Sequence, residues 1–462
     1  MLDKIGMKKV HLINLLIISV LILHLFLKSY FHHDGRISPD SAEYLSAAQA
    51  LINGEGLYTG SNPILGLEKS YFSIWPAGYP LLIAFVSFIT TANVFWASKL
   101  VNALMLLACA FLLKSIYKRK SFLFIACFGF ASYLFLFSST YSEVTFTFSL
   151  IYLSWSLYNF TQNETSWVAC IHLALAAILP FLFRYIGVFT CFLLLGLLLK
   201  SFLENGLKSR TIRLLVVFST TVFFEVTYLS INFIRTGNLT GISRPSKFHE
   251  PFSIMIDFAK GMLGELVFIA PYFNVFLMLL TMSVSVLAWL YIRPSVNLSQ
   301  ETRYSSQYFL LVGICYFFSL LIIGYLLKIK TFDYRFLGPG SLLILFGIID
   351  FFLKWKISFL KVTILSFLIL SLFFSIRESY QGYSVENRSY LGEIDYLQKE
   401  VSKVEEGSIL IEGNKHYKYL RPDLIIFDSW YLSDTIPKQR LKTEYPEKKI
   451  YFQEGKHILR VY

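Results

Sequence analysis

Long apolar runs separated by short polar connections make up most of this chain, and only the residues after about 376 lack such a run. A helix needs roughly 20 apolar residues to cross a hydrocarbon layer about 30 Å thick, and these runs approach or exceed that length. The pattern therefore predicts a mainly α, polytopic transmembrane helical bundle of about eleven spans. The predicted spans are residues 10–30, 93–114, 121–139, 143–160, 166–182, 185–200, 211–233, 265–291, 306–327, 336–353 and 357–376.

The apolar run "SIWPAGYPLLIAFVSFIT" (73–90) is too short to span comfortably, and two prolines and a glycine lie near its start. We expect an interfacial or re-entrant helix, which a membrane protein tolerates where protein or a water-filled cavity covers it. The aromatic residues Tyr71, Trp75 and Tyr79 are expected at the level of the lipid headgroups. Residues 31–92 then form a first external loop with interfacial helices.

The segment 377–462 reads as a small soluble α/β domain that follows a transmembrane domain at 1–376. Strands are predicted in "SILIEG", "DLIIFD", "KIYFQ" and "HILRVY". A helix is predicted in "YLGEIDYLQKEVSKV", and its spacing puts five apolar side chains on one face. These are Leu391, Ile394, Leu397, Val401 and Val404. We find no catalytic motif in this segment.

Lysines and arginines set the predicted orientation. The basic N-terminal tail, "KSIYKRK" (114–120), the 200–213 linker and "KWK" (354–356) all fall on one side, which the positive-inside rule assigns to the cytoplasm. An odd number of spans then puts the segment 377–462 on the external side with the first loop. The first run lacks a small-residue cleavage pattern, so we expect an anchor rather than a cleaved signal.

Composition agrees with a membrane protein and excludes other classes. The chain is 55% hydrophobic and 16% charged, with a mean hydropathy of +0.56. Its net charge of +12 is explained by cytoplasmic lysines near anionic lipid, so no nucleic-acid partner is needed. All five cysteines lie in apolar runs and show neither a disulfide framework nor metal-ligand spacing.

Ionisable residues are costly near a membrane, so those at the span ends are the candidates for chemistry. These residues lie at the predicted external ends of the spans. Some are acidic and some are basic, and a shared cavity at that face would bring the two charges together. They are Asp40 and Glu43; Glu143; Arg184; and Lys328, Lys330, Asp333 and Arg335. Each also has a purely structural interpretation: helix-capping acids for Asp40, Glu43 and Glu143, and interfacial anchors for the cations.

The order of six motifs resembles the GT-C class of polytopic glycosyltransferases, which take a sugar from a polyprenyl-phosphate carrier. This class includes the protein mannosyltransferases and the lipid A aminoarabinose transferase. The resemblance covers about residues 10 to 375. It depends on "PDSAEYLSAAQALINGEGLY", "WPAGYPLL", "YSEVTF", "FRYIG", "NFIRTGNLTG" and "DYRFLGPGSLL".

This resemblance implies an inverting sugar transfer on the extracytoplasmic face of a bacterial inner (plasma) membrane. Asp40 would be the general base, and Glu43 and Glu143 would be further catalytic acids. The donor phosphate would bind Arg335, with Arg184, Lys330 and Lys328 nearby. Substrate contacts would come from Tyr44, Tyr185 and Tyr334.

The implied partners are a polyprenyl-phosphate-linked sugar, a lipid, glycan or protein acceptor, and membrane lipids. Many members of the class carry adjacent acids in the first loop, whereas Asp40 and Glu43 are three residues apart. Two carboxylates can offer oxygen ligands to Mg²⁺ or Mn²⁺, but they do not demand a metal. The cofactor therefore stays open, as does the role of Glu43.

Three alternatives remain open from the sequence. A lipid-linked glycan transporter or flippase should have paired charges at the bilayer midplane and matched halves with broken helices. An O-antigen polymerase or ligase should carry its key residues in a late external loop. A membrane scaffold would use the segment 377–462 to bind a partner. The clustering of ionisable residues at one face favours the glycosyltransferase.

Overall fold

The computed structural model shows a helical bundle with a small mixed sheet near its C-terminus. It describes residues 7–32, 34–59, 70–163, 166–240, 251–266, 303–327, 332–353, 389–411, 413–427, 445–454 and 457–460. The helices before the sheet contribute to two apolar clusters, one large and one smaller. They are α1 (Met7–Phe31), α2 (Pro39–Ile52), α3 (Gly78–Thr90), α4 (Val94–Tyr117), α5 (Ser121–Ala126), α6 (Ala131–Ser138), α7 (Glu143–Gln162), α8 (Trp167–Phe183), α9 (Phe189–Asn205), α10 (Ser209–Thr236), α11 (Pro251–Leu266), α12 (Arg303–Leu327) and α13 (Tyr334–Leu353).

Five helical segments among the described residues are long and apolar enough to cross a membrane. They are Lys8–Phe31, Val94–Gly129, Tyr185–Glu204, Ser209–Thr236 and Gln307–Leu326. The chain is accordingly an integral, polytopic helical membrane protein, as its apolar pattern predicts. Predicted span 357–376, and all but the first two residues of predicted span 265–291, lie outside the described residues.

The predicted span 121–139 is wrong as a single helix. The segment forms α5, a 3-10 turn (Cys127–Gly129) and α6, with extended backbone at Phe130 between the turn and α6. Every side chain in α5 is buried by other protein segments. Apolar composition is the same for a buried, broken segment and for a lipid-facing helix, so the hydrophobic pattern does not distinguish them.

The helix α11 lies almost entirely between the predicted spans 211–233 and 265–291, where the sequence pattern predicts no span. Its Phe258 ring packs edge-on against Phe332 and Phe317. Gly261 permits a close approach, because a Cβ there would lie 2.3 Å from the carbonyl oxygen of Phe332. This part of α11 therefore packs against the bundle.

The first loop contains α2, a two-stranded ribbon of β1 (Tyr58–Thr59) and β2 (Ser70–Tyr71), and α3. Helix α3 has 13 residues and is too short to cross a membrane, and Phe85, Phe88 and Ile89 on it are exposed. Tyr79 does not contact lipid headgroups, although its aromatic character suggested a position at their level. Its ring is fully buried, and its hydroxyl donates to Asn102 Oδ1 at 3.0 Å.

The described residues from 389 onward form a C-terminal unit, and all four predicted strands are present in it. They are β3 (Ile409–Ile411), β4 (Ile425–Phe427), β5 (Ile450–Glu454) and β6 (His457–Arg460), in the order β4-β3-β5-β6. The β5-β6 pair is antiparallel and the other pairs are parallel. Two helices accompany the sheet, α14 (Tyr390–Val401) and α15 (Tyr417–Leu420).

The apolar face predicted for residues 390–404 is wrong at one residue, Leu391, which is exposed. Leu391 is 44% exposed, whereas Ile394, Leu397, Val401 and Val404 are buried as predicted. The neighbouring Tyr390 takes the buried position at the helix start, because its ring stacks on Phe95 at the beginning of α4 with centroids 3.7 Å apart.

The end of α6 and its connection to α7 (Ser139–Ser142) are held by side chains from α4. Asn102 on α4 donates to the carbonyl oxygens of Phe137 and Ser139 at 2.9 and 2.7 Å. The buried Lys99 donates to the carbonyl of Ser138 and to the hydroxyl of Thr140. Buried backbone groups need such partners, so these bonds fix the start of α7.

Replacing Asn102 by leucine should destabilise the fold. The change leaves two buried carbonyls and the Tyr79 hydroxyl without their partner, which costs about 1–3 kcal/mol for each unsatisfied group. A clear fall in melting temperature of the detergent-solubilised protein is expected. The control Asn163→Leu, at the exposed end of α7, should change it little. Equal melting temperatures for Asn102→Leu and the wild type would contradict this role of Asn102.

Candidate active site

Helix α2 begins with strong local signals that place Asp40 in its first turn. Ser38 is the N-cap and forms a reciprocal capping box with Ser41, and Pro39 is the first helical residue. The hydroxyl of Ser41 also donates to the carbonyl of Thr140 at 2.8 Å, which attaches α2 to the connection before α7. A helix N-terminus, with its free amide groups and the positive end of the helix dipole, is a favourable position for an acidic residue.

Glu143 is the first residue of α7, and its side chain is 0% exposed. Two guanidinium groups bind its carboxylate oxygen Oε1. Arg335 Nε donates to this oxygen at 2.8 Å, and Arg184 Nη1 contacts the same atom. The carboxylate therefore joins the start of α13 to the end of α8.

Arg335 connects the two acids. While its Nε binds Glu143, its Nη2 donates to Asp40 Oδ2 at 2.7 Å. Its guanidinium also lies over the Tyr141 ring, 4.2 Å from the centroid, a cation–π geometry. Two carboxylates and two guanidinium groups from four separate segments thus form one charge-balanced cluster.

A tight turn after α8 positions the second guanidinium. Arg184 follows Phe183 in extended backbone and precedes a 3-10 turn. Gly187 in this turn is sterically required, because a Cβ there would lie 2.1 Å from the backbone nitrogen of Phe181. The Arg184 guanidinium lies beside two aromatic rings, Trp75 and Phe336, at 5.9 and 5.5 Å.

Exposure differs across the cluster. The side chains of Asp40 and Arg335 are 29% and 19% exposed, whereas Glu143 is fully buried and Arg184 nearly so. The Asp40–Arg335 side is therefore the accessible side of the cluster, and the Glu143–Arg184 side lies behind it. Glu143 contacts both guanidinium groups from the buried side, and its catalytic role stays a prediction.

Glu43 does not join this cluster, in contrast to its predicted catalytic role. Its carboxylate binds Lys418 Nζ of the C-terminal unit at 2.7 Å. Nor is it the capping-box residue, because Ser41 occupies that position. The sequence contained no signal that would pair Glu43 with a lysine 375 residues away.

The three predicted substrate-binding tyrosines differ in their surroundings. The Tyr44 ring is buried, and its hydroxyl lies 2.9 Å from that of Ser142. Burial, together with the nearby Glu143 charge, raises the pKa of Tyr44 above its ordinary value, so the hydroxyl stays neutral. The Tyr185 hydroxyl donates to the Ser73 carbonyl and accepts from Asn232. Tyr185 and Tyr334 are both partly exposed, and the ring of Tyr334, the residue before Arg335, is edge-on to Phe135.

The Tyr334 hydroxyl likewise interacts with Tyr141, so the hydroxyls of all three tyrosines have protein partners. Their substrate contacts stay predictions. The predicted phosphate-binding lysines, Lys328 and Lys330, lie outside the described residues.

The described residues do not fit a divalent-metal site. No group of three or more histidine, cysteine, aspartate and glutamate side chains among them is arranged to hold an ion. Asp40 and Glu143 each have a guanidinium partner, whereas Glu43 is paired with Lys418. The two acids of the D-x-x-E pair therefore point to different cations, and we derive no chemical step through a metal.

Two contributors to the cluster were not predicted. Tyr141 supplies the ring under Arg335, and Trp75 lies beside Arg184. Tyr141 lies two residues before Glu143 in the motif "YSEVTF". Its position in the sequence could therefore have predicted that it lies near the cluster. Trp75 was expected at the lipid headgroups, and only the three-dimensional arrangement relates it to Arg184.

No protein-family model matches the sequence, and no curated protein matches it. Among solved structures, the chain is similar to ArnT from Cupriavidus metallidurans bound to undecaprenyl phosphate. The identity is 12%, the TM-score is 0.48, and the match covers 95% of this chain and 92% of ArnT. The apo state of ArnT gives a TM-score of 0.47 at the same identity and coverage.

The chain is also similar to the archaeal oligosaccharyltransferase AglB from Archaeoglobus fulgidus, in complex with an inhibitory peptide and a dolichol-phosphate. The identity is 10%, the TM-score is 0.45, and the match covers 94% of this chain and 69% of AglB. ArnT and AglB belong to the GT-C class that the sequence motifs resemble. At TM-scores below 0.5, these similarities assign neither an activity nor residue roles to this chain.

Glu143→Gln should destabilise the protein more than Asp40→Asn does. The first change leaves the nearly buried Arg184 without its carboxylate partner and leaves Arg335 with Asp40 alone. Breaking a buried ion pair typically costs about 3–5 kcal/mol. The second removes a charge from a carboxylate that water already reaches, so the loss should be smaller. Melting temperatures of both variants in detergent, measured side by side, test this ranking. A larger loss for Asp40→Asn would contradict the described burial.

Proposed function

We propose that this chain is a membrane glycosyltransferase that moves one sugar from a polyprenyl-phosphate donor to an acceptor on the extracytoplasmic face. The observation that carries the proposal is the cluster of Asp40, Glu143, Arg184 and Arg335. Its accessible side pairs a carboxylate with a guanidinium, the two groups that this reaction needs. The resemblance of the motifs to the GT-C class supports the same assignment.

The chemistry requires a base and an anion-binding cation on either side of the sugar. Asp40 takes the proton from the acceptor while the acceptor atom forms its bond to the anomeric carbon. The bond between that carbon and the phosphate oxygen breaks, and polyprenyl phosphate leaves with the bonding electrons. Arg335 stabilises the departing phosphate, because a guanidinium offers forked donors that match phosphate oxygens. The reaction inverts the anomeric centre without a covalent sugar intermediate.

Asp40 and Arg335 bind each other in the structure, so the donor has to separate them. Arg335 Nε is held by Glu143, which leaves the guanidinium in place while its Nη2 exchanges partners. In our proposal the donor phosphate replaces the Asp40 carboxylate on Nη2. The released carboxylate then faces the acceptor across the sugar. Substrate binding and activation of the base become a single event.

Replacing Asp40 by asparagine should lower turnover about 10²–10⁴-fold, because the amide cannot accept the acceptor proton. The assay incubates purified protein with polyprenyl-phosphate sugars and an envelope glycolipid extract, and it measures polyprenyl phosphate release. Release that depends on Asp40 would exclude a transporter and a scaffold. Near-wild-type release by folded Asp40→Asn would contradict its role as the base.

Arg335→Gln should weaken binding of undecaprenyl phosphate about 10–100-fold, since charge-assisted hydrogen bonds contribute about 1.5–3 kcal/mol. Arg335→Lys should recover part of this loss, because it keeps the charge but lacks the forked donors. Arg119→Gln, in the exposed turn after α4, is a matched control. Dissociation constants measured in detergent micelles provide the comparison, and equal values for Arg335→Gln and the control would refute phosphate binding.

A further inference from the structure

Two lysines of the C-terminal unit contact α2 and the backbone that leads into it. The first is Lys418, whose Nζ lies 2.7 Å from Glu43 Oε1, and both side chains are mostly buried, at 10% and 14% exposure. Glu43 is three residues after Asp40, so this ion pair attaches to the helical turn that follows the proposed base. Removing one member of a buried ion pair is costly, which makes the contact a strong restraint.

The second lysine holds the backbone before α2. Lys415 Nζ binds Asp34 Oδ2 at 2.9 Å and also donates to the carbonyl oxygen of Ile37. Ile37 directly precedes the N-cap Ser38. Burial raises the pKa of Asp34, but the hydrogen bond from His32 and the charge of Lys415 outweigh it, so the pKa is lowered and the carboxylate stays ionised.

Apolar packing joins the same two parts of the molecule. Side chains from α2 (Ala47, Ala48), α4 (Phe95) and the C-terminal unit (Tyr390, Tyr417) belong to one buried cluster. Helix α2 is also attached to the connection before α7, through the hydroxyls of its Ser41 and Tyr44 side chains. Both the C-terminal unit and the bundle therefore hold α2 in place.

We infer that Lys418 is a positioning residue for sugar transfer, which acts through Glu43 to hold the helix that carries Asp40. The inference rests on the proposed function for its catalytic consequence. A base has to be placed to within a fraction of an ångström, and a 1 Å displacement can cost about 10²-fold in rate. The C-terminal unit, which lacks a catalytic motif, thereby contributes to turnover without touching the substrate.

The variants that test this inference are Lys418→Met, Glu43→Gln and the charge-exchanged double variant Glu43→Lys/Lys418→Glu. Lys449→Met is the control, because Lys449 forms an exposed ion pair with Glu405 elsewhere in the C-terminal unit. For Lys418→Met and Glu43→Gln we expect a fall in kcat of about tenfold with little change in the dissociation constant for undecaprenyl phosphate. The double variant should recover most of the lost kcat, and the control should match the wild type.

Hydrogen–deuterium exchange of the α2 amides gives a readout independent of activity. Exchange in the α2 segment after Asp40 should be about tenfold faster in Lys418→Met than in Lys449→Met, and slower again in the double variant. If the wild type releases no polyprenyl phosphate, the proposed function fails, while faster exchange in Lys418→Met still supports the mechanical contact. Unchanged exchange in Lys418→Met would overturn the inference. Wild-type kcat in Lys418→Met, or a kcat loss without rescue by charge exchange, would also overturn it.

Discussion

The buried carboxylate of Glu143 is the interaction on which the site depends. Two guanidinium groups approach the same carboxylate oxygen, one from the end of α8 and one from the start of α13. Without this charge, the nearly buried Arg184 would lose its carboxylate partner and would lie close to a second cation, Arg335. The start of α7 therefore has to be rigid, and Asn102, Lys99 and Ser41 supply the hydrogen bonds that make it so.

This constraint explains how one arginine can serve two purposes. The edge of Arg335 that carries Nε is fixed on Glu143, and its Nη2 is directed toward the accessible side and toward Asp40. A fixed guanidinium loses little conformational freedom when an anion binds, which favours phosphate binding. Asp40 neutralises the group in the substrate-free state, so the cation is never buried without a partner. Activity then requires that this ion pair opens.

The sequence predicted the convergence of Asp40, Glu143, Arg184 and Arg335 because all four lie at the same ends of their predicted spans. Helices of similar length that cross one bilayer bring such ends to the same level, so the pattern carried three-dimensional information. It could not show which partner each charge has. Glu43 resembles Asp40 in the sequence, but a lysine from the C-terminal unit binds it. Likewise, the break at Phe130 and the burial of Tyr79 depend on neighbours that hydrophobic periodicity does not contain.

The exchange of partners on Arg335 is tested most directly by a structure of the protein with bound undecaprenyl phosphate. We predict a phosphate oxygen within hydrogen-bond distance of Arg335 Nη2, an unchanged bond from Arg335 Nε to Glu143, and an Asp40 carboxylate that has turned away from the guanidinium. A phosphate bound elsewhere, with the Asp40–Arg335 ion pair intact, would contradict the account.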